Sequence, residues 1–125
     1  MLGAKNTSAT IPVKDLEVAK KFYRETLGLT PVDHQDGEAV VFKSGNSQVL
    51  VYRSEFAGTN KATAATWAVG NDIEREVEGL KSKGVNFEHY DMPDASLKGD
   101  VHVFGDLKTA WFKDPDGNIL ALVND

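Results

Sequence analysis

Apolar positions recur along this chain with two different periods, and the periods follow one another in the same order twice. Ala9-Thr10-Ile11-Pro12-Val13 alternates in character as a half-buried strand does, and Asp15 then stands as the N-cap of a helix. Leu16, Ala19, Phe22, Tyr23 and Leu27 recur at helical spacing, and Gly28 supplies the stop. Leu29 to Gln35 reads as a second strand and Asp36-Gly37 as a turn. Val40 to Ser44 and Gln48 to Arg53 then form a hairpin across Gly45-Asn46.

Ser54 to Thr63 holds no sustained period and reads as a connector. The order then restarts. Ala65 to Val69 is a strand, Asn71 with Glu74 has the spacing of a capping box, and Ile73, Val77 and Leu80 form one apolar helix stripe ended by Gly84. Val85 to Asp91 reads as a strand and Met92 to Asp100 as a polar, Pro-containing loop. Val101 to Lys113 leads into a hairpin at Asp114-Pro115-Asp116-Gly117, where Pro fixes φ, Asp side chains bond following amides and Gly accepts positive φ.

Offsets between matching positions test the repeat. Asp15 to Asp72 is 57 positions and Gly28 to Gly84 is 56, whereas Gly45 to Gly117 is 72. The larger third offset assigns an insertion around Pro93 to Gly105, and insertions map to loops. The expected fold is therefore α+β, with two tandem βαβββ modules: one from about residue 5 to 53, a connector from about 54 to 63, and one from about 64 to 125. Each helix is expected on the convex face of a curved mixed sheet, which leaves the concave faces to form a pocket.

Composition narrows the function classes. A chain of 125 residues with 41% hydrophobic and 26% charged residues has the makings of one soluble domain. No cysteine is present, so disulfide and thiolate chemistry are excluded, and zinc would need His and carboxylate ligands. A formal charge of −5 with no clustered Lys or Arg gives no footprint for nucleic acid. No apolar run approaches the roughly 20 residues of a membrane span, and the first residues lack the apolar centre of a signal peptide, so a cytoplasmic location is expected.

Three stretches carry a family resemblance: Ile11-Pro12-Val13-Lys14-Asp15-Leu16 running into Phe22-Tyr23 and Leu27-Gly28-Leu29; Leu80 to Val85; and Trp111 to Asn118. In this order the chain resembles the vicinal oxygen chelate superfamily, which includes glyoxalase I, extradiol dioxygenases, and fosfomycin- and bleomycin-resistance proteins. That scaffold hosts several reactions, so the resemblance speaks for fold before chemistry. Metal-dependent members carry a His near the start of each module's first strand and a Glu after the Asp-Pro-Asp-Gly turn. Those positions fall here on Ser8, on Ala64 or Ala65, and on Ala121. Alanine offers a metal no donor, so no metal and no other cofactor is expected.

The remaining candidates are a binding set. Ser8 and Thr10 are expected to face the concavity with hydroxyls, Tyr52 and Arg53 to reach its mouth, Trp111 to line it, and His89 to supply a hydrogen bond or a base. Trp67 is expected to face its own helix as core. The resulting expectation is a metal-independent binder of a small molecule, resembling the bleomycin-resistance branch and sequestering an antibiotic-like or aromatic ligand. The resemblance also implies a homodimer whose facing sheets complete the pockets. Two rivals remain: a metal-dependent lyase, transferase or dioxygenase with ligands shifted to His34, His89 or His102, and a non-catalytic accessory domain.

Overall fold

A computed structural model describes residues 1–32 and 37–125, which divide into two compact units, 1–59 and 60–125. His34, the end of the expected second strand and Asp36 of its turn lie outside the described residues.

In the first unit the sheet is built from β1 (Ala9–Val13), β2 (Thr30–Pro31), β3 (Ala39–Ser44) and β4 (Ser47–Arg53), in the order β1-β4-β3-β2. β1 runs parallel to β4, and the other pairings are antiparallel. Asp15 caps α1 (Leu16–Lys21), its side chain accepting hydrogen bonds from the Glu17 and Val18 amides. A π-helical turn, Phe22–Thr26, follows before Gly28 turns the chain at φ +78°. The register sets the faces. Ile11 and Val13 lie beside Val51 and Arg53, and Val40 and Phe42 beside Val51 and Val49, so an apolar layer forms on the α1 side with Ala19 and Tyr23. Tyr23 packs on Phe42 with ring centroids 5.9 Å apart.

The second unit repeats that wiring. Its strands are β5 (Thr63–Ala68), β6 (Phe87–Glu88), β7 (Ser96–Lys98), β8 (Val101–Phe104), β9 (Leu107–Lys113) and β10 (Ile119–Val123). The order is β5-β10-β9-β8-β7, with β6 also on β9 and β5 parallel to β10. β5, β6, β9 and β10 thus pair as β1, β2, β3 and β4 do, and β7 with β8 is the addition. Phe112, Ala110, Leu120 and Leu122 form the apolar face toward α2 (Ile73–Ser82), from which Ile73 and Val77 are buried. Trp67, the register partner of Leu122, joins that face half-buried.

Four local expectations are corrected. Met92 to Asp100 is not a continuous loop, because Ser96–Lys98 forms β7; Gly99, at φ +63°, permits a two-residue turn to β8. The strand expected over 85–91 is reduced to Phe87–Glu88, since the Tyr90 amide leaves the ladder and bonds the His102 side chain. β2 is likewise short, although the Val32 amide still reaches the Val41 carbonyl. The Asn71–Glu74 capping box does not form: a 3-10 turn, Gly70–Asp72, moves the helix start to Ile73, and Asp72 at the N-cap makes no side-chain cap bond. The end of α2 follows expectation. Val85 N–H bonds the Leu80 carbonyl and Gly84 N–H that of Lys81, the paired bonds of a Schellman motif. No helix of the described residues is long and apolar enough to cross a membrane.

Candidate functional site

Strand alternation separates Trp111 from its neighbour. Phe112 enters the α2-side core, whereas Trp111 stands half-buried on the other face with its register partners Glu88 and Ala121. Trp111 Nε1 donates to Thr63 Oγ1 at 3.1 Å, which ties the indole to β5. Tyr90 meets it edge to face, centroids 5.3 Å apart, and His102 does the same at 4.9 Å. Tyr90 and His102 stack at 6.1 Å and 30°, so the three rings form one cluster.

His102 is buried, 1% exposed, and its orientation is set by the main chain. The Tyr90 N–H donates to Nε2 at 2.9 Å. Nε2 must carry a lone pair to accept that bond, which places the proton of the neutral ring on Nδ1. Among the described residues, neither His102 Nδ1 nor the Tyr90 hydroxyl, both buried, has a hydrogen-bond partner. Burial raises the Tyr90 phenol above its ordinary value; Glu88 adds to this and Lys113 opposes it.

His89 projects beside this cluster, half exposed, with Nε2 2.7 Å from Asp100 Oδ1. Asp100 occupies the β7–β8 turn, and its other oxygen takes the Lys81 ammonium of α2 at 2.8 Å. The hydrogen bonds from Lys81 and then His89 lower the Asp100 carboxyl, against the effect of burial. One carboxylate therefore ties together the turn, the helix end and His89.

Two depressions adjoin the rings. The larger, about 440 Å³, is walled by Tyr90, Met92, Trp111 and Ile119, with Lys61, Ala62, Thr63 and Asp91 completing it. The other, about 300 Å³, is lined by His89, Tyr90, Asp91, Met92, Ala95, Leu97 and His102. Both have apolar walls and a few polar groups, as small-molecule sites do.

Of the six residues proposed from sequence, His89 and Trp111 lie in this unit, Trp111 as one of the three clustered rings and His89 beside them. The other four lie in the unit 1–59. Ser8 lines a polar cleft of about 350 Å³ with Asn6, Thr7, Asn46, Ser47 and Gln48, and Thr10 donates its hydroxyl to the Ser8 carbonyl at 3.3 Å. Thr10 and Tyr52 share the face away from α1, through the register pairs Thr10–Leu50 and Pro12–Tyr52. Arg53 falls on the opposite face from Tyr52, paired in register with Val13, and its Nε bonds Glu38 at 2.9 Å. Sequence reasoning passed over Tyr90, Asp100 and Lys81 and read His102 as a strand residue. The available signal was the flanking of His102 by Val101 and Val103, which alternation sends to the core side.

The residues at the family's metal positions do not fit a metal. Ala121 presents a buried methyl beside Trp111, Ala64 and Ala65 carry no donor, and Ser8 is an exposed hydroxyl. Among the described residues, no three His, Asp or Glu side chains converge as ligands. His89 and His102 approach at 6.4 Å between centroids, but the Nε2 atom of each is already engaged.

Comparisons with known proteins place the fold. The fosfomycin resistance protein FosX from Mesorhizobium loti aligns at a TM-score of 0.70 and 14% identity, covering 98% of this chain and 92% of that one. Lactoylglutathione lyase from Agrobacterium tumefaciens aligns at 0.70 and 18% identity, over 96% and 92% of the two chains. An integron cassette protein from the mobile metagenome of the Halifax Harbour sewage outfall aligns at 0.70 and 19%, over 96% and 97%. No curated protein sequence matches. The paired βαβββ wiring, the Asp-Pro-Asp-Gly hairpin and a family model matching residues 7–122 agree: the chain belongs to the Glyoxalase/Bleomycin resistance protein/Dioxygenase superfamily.

Proposed function

We propose that this protein binds a planar or amphipathic organic molecule without a metal, in the sequestering manner of bleomycin-resistance proteins. The observation that carries the reading is the ring cluster of Trp111, Tyr90 and His102 beside the depression of about 440 Å³. Indole and phenol rings held by packing offer large apolar area at small entropic cost, and edge-to-face contact fixes their orientation before a ligand arrives. Thr63, Lys61 and Asp91 on the same depression supply polar contacts that orient the guest. Ser8 and Thr10 are proposed as further hydroxyl donors, with Tyr52 and Arg53, and the active form is proposed to be a homodimer.

The test joins native mass spectrometry and elemental analysis with thermal shift, on protein purified without a metal-affinity tag. Selective binding to the folded state raises apparent stability. The expected result is a metal-free dimer whose midpoint rises with a planar aromatic cation such as proflavine and is unmoved by divalent ions. Stoichiometric metal, or stabilisation by one ion and not by the aromatic probe, overturns the reading in favour of a metal-dependent enzyme.

A further inference from the structure

Charge is distributed unevenly around the aromatic wall. On the face that carries Trp111, its register partner Glu88 pairs with Lys113 at 3.5 Å, so those two charges offset each other. Asp100 is likewise bonded to Lys81 and His89. The depression of about 440 Å³ has two charged residues on its lining, Lys61 and Asp91. Both are exposed, and among the described residues neither side chain makes a hydrogen bond or an ion pair, with each other or with any neighbour. One ammonium and one carboxylate therefore stand unpaired around a hollow whose walls are otherwise apolar and aromatic.

We propose, resting on the reading of this depression as the ligand site, that its guest is zwitterionic: a planar aromatic molecule carrying one anionic and one cationic group, the anion toward Lys61 and the cation toward Asp91. The aromatic body lies against Trp111, Tyr90 and Met92. A purely cationic guest satisfies Asp91 and meets like charge at Lys61, and a purely anionic guest does the reverse. The zwitterion gains at both ends. Because both side chains are exposed, each attraction is modest and screened by salt, so the aromatic wall supplies the affinity and the two charges supply the choice. Such a pair discriminates by repulsion of the wrong guest as much as by attraction of the right one.

Three indoles of similar size differ chiefly in the charges they carry near neutral pH: tryptophan is a zwitterion, tryptamine a cation and indole-3-propionate an anion. Isothermal titration into the full chain at low ionic strength is expected to show tryptophan binding about fivefold more tightly than either analogue, a difference of about 1 kcal/mol. That advantage is expected to shrink in about 0.5 M sodium chloride. Lys61→Gln is expected to weaken tryptophan and indole-3-propionate severalfold and to strengthen tryptamine. Asp91→Asn is expected to weaken tryptophan and tryptamine and to strengthen indole-3-propionate. Both positions are exposed, so both variants are expected to fold as wild type does.

A tryptophan affinity no higher than that of both analogues overturns the proposal, as do variants that change all three ligands alike. Proflavine separates this failure from failure of the site itself. If proflavine binds while the indoles do not, or bind without charge preference, the zwitterion assignment falls and the ligand site stands. If neither proflavine nor any indole binds, both fall.

Discussion

Asp114 and Asn118 close the last hairpin on each other through both main chain and side chain. The Asp114 N–H donates to the Asn118 carbonyl, Asn118 N–H donates to Asp114 Oδ1 at 2.9 Å, and Asn118 Nδ2 donates to Oδ2 at 2.8 Å. Oδ1 also takes the Asp116 amide, and the two side chains are buried. The carboxylate is thus committed to shaping the turn that aligns β9 with β10, and through β9 the position of Trp111.

Asp114→Ala removes the carboxylate acceptor of the buried Asn118 N–H and of Asn118 Nδ2. The expected loss is about 2–4 kcal/mol in urea unfolding, because several bonds to a charged acceptor disappear together. Asp114→Asn retains one acceptor oxygen and is expected to cost less. Equal stability of wild type and Asp114→Ala would show that the turn does not depend on the carboxylate.

Gly84 closes α2 at φ +92°, with open space where a Cβ would stand. The cost of Gly84→Ala is therefore conformational rather than steric, about 1–2 kcal/mol. Asn visits the left-handed region more readily, so Gly84→Asn is expected to fall between glycine and alanine in thermal midpoint.

Much of this architecture was legible because local chemistry and tertiary pairing agree. Asp15, Gly28 and Gly84 mark helix ends by caps and positive φ, and β1 opens the first copy where alternation places it, while β5 starts two residues before the expected Ala65, at Thr63. The added hairpin was readable too: Gly99-Asp100 and Gly105-Asp106 carry the same signal as Gly45-Asn46, with positive φ on the glycine in each. Pro93 and the polar residues around it outweighed that signal. The candidate site was less legible. Its ring cluster depends on the Tyr90 amide leaving a strand ladder to bond a side chain twelve residues away, and no periodicity encodes that exchange.

The Asp100–Lys81 pair predicts a pH dependence with two limits. The carboxyl is lowered chiefly by the Lys81 hydrogen bond and then by that of His89, and the ammonium is raised by the same carboxylate. A carboxylate with a depressed folded value stabilises the fold above its unfolded value, about 3.9, and that contribution is lost as pH falls through the folded value. An ammonium with a raised folded value contributes below its unfolded value, about 10.4, and loses this as pH rises through the folded value. Asp100→Asn is therefore expected to lower the thermal midpoint near neutral pH, with the gap from wild type shrinking as pH falls below about 4. A gap that stays constant into acid would show that the pair's charge is not what holds the turn to the helix.

Trp111 and Phe112 are sequence neighbours on opposite faces of β9, so truncating each should give opposite phenotypes. Phe112 is fully buried, packs on Phe87 at 5.5 Å between centroids and faces Leu120 across the sheet. Phe112→Ala is expected to cost about 3–5 kcal/mol, a large part of the stability of a domain this size. Trp111 stands outside that core, and its removal strips one wall from the depression shared with Tyr90 and Met92. Trp111→Ala is expected to stay folded and to bind proflavine about tenfold more weakly in isothermal titration. Trp111→Phe keeps an aromatic face but loses the Thr63 bond, and is expected to lie between wild type and Trp111→Ala. A Trp67→Phe background leaves Trp111 as the sole indole, so its emission should respond to an apolar, non-quenching guest in proportion to occupancy. If Trp111→Ala binds proflavine as tightly as wild type, the ring cluster is a packing feature and the ligand wall lies elsewhere.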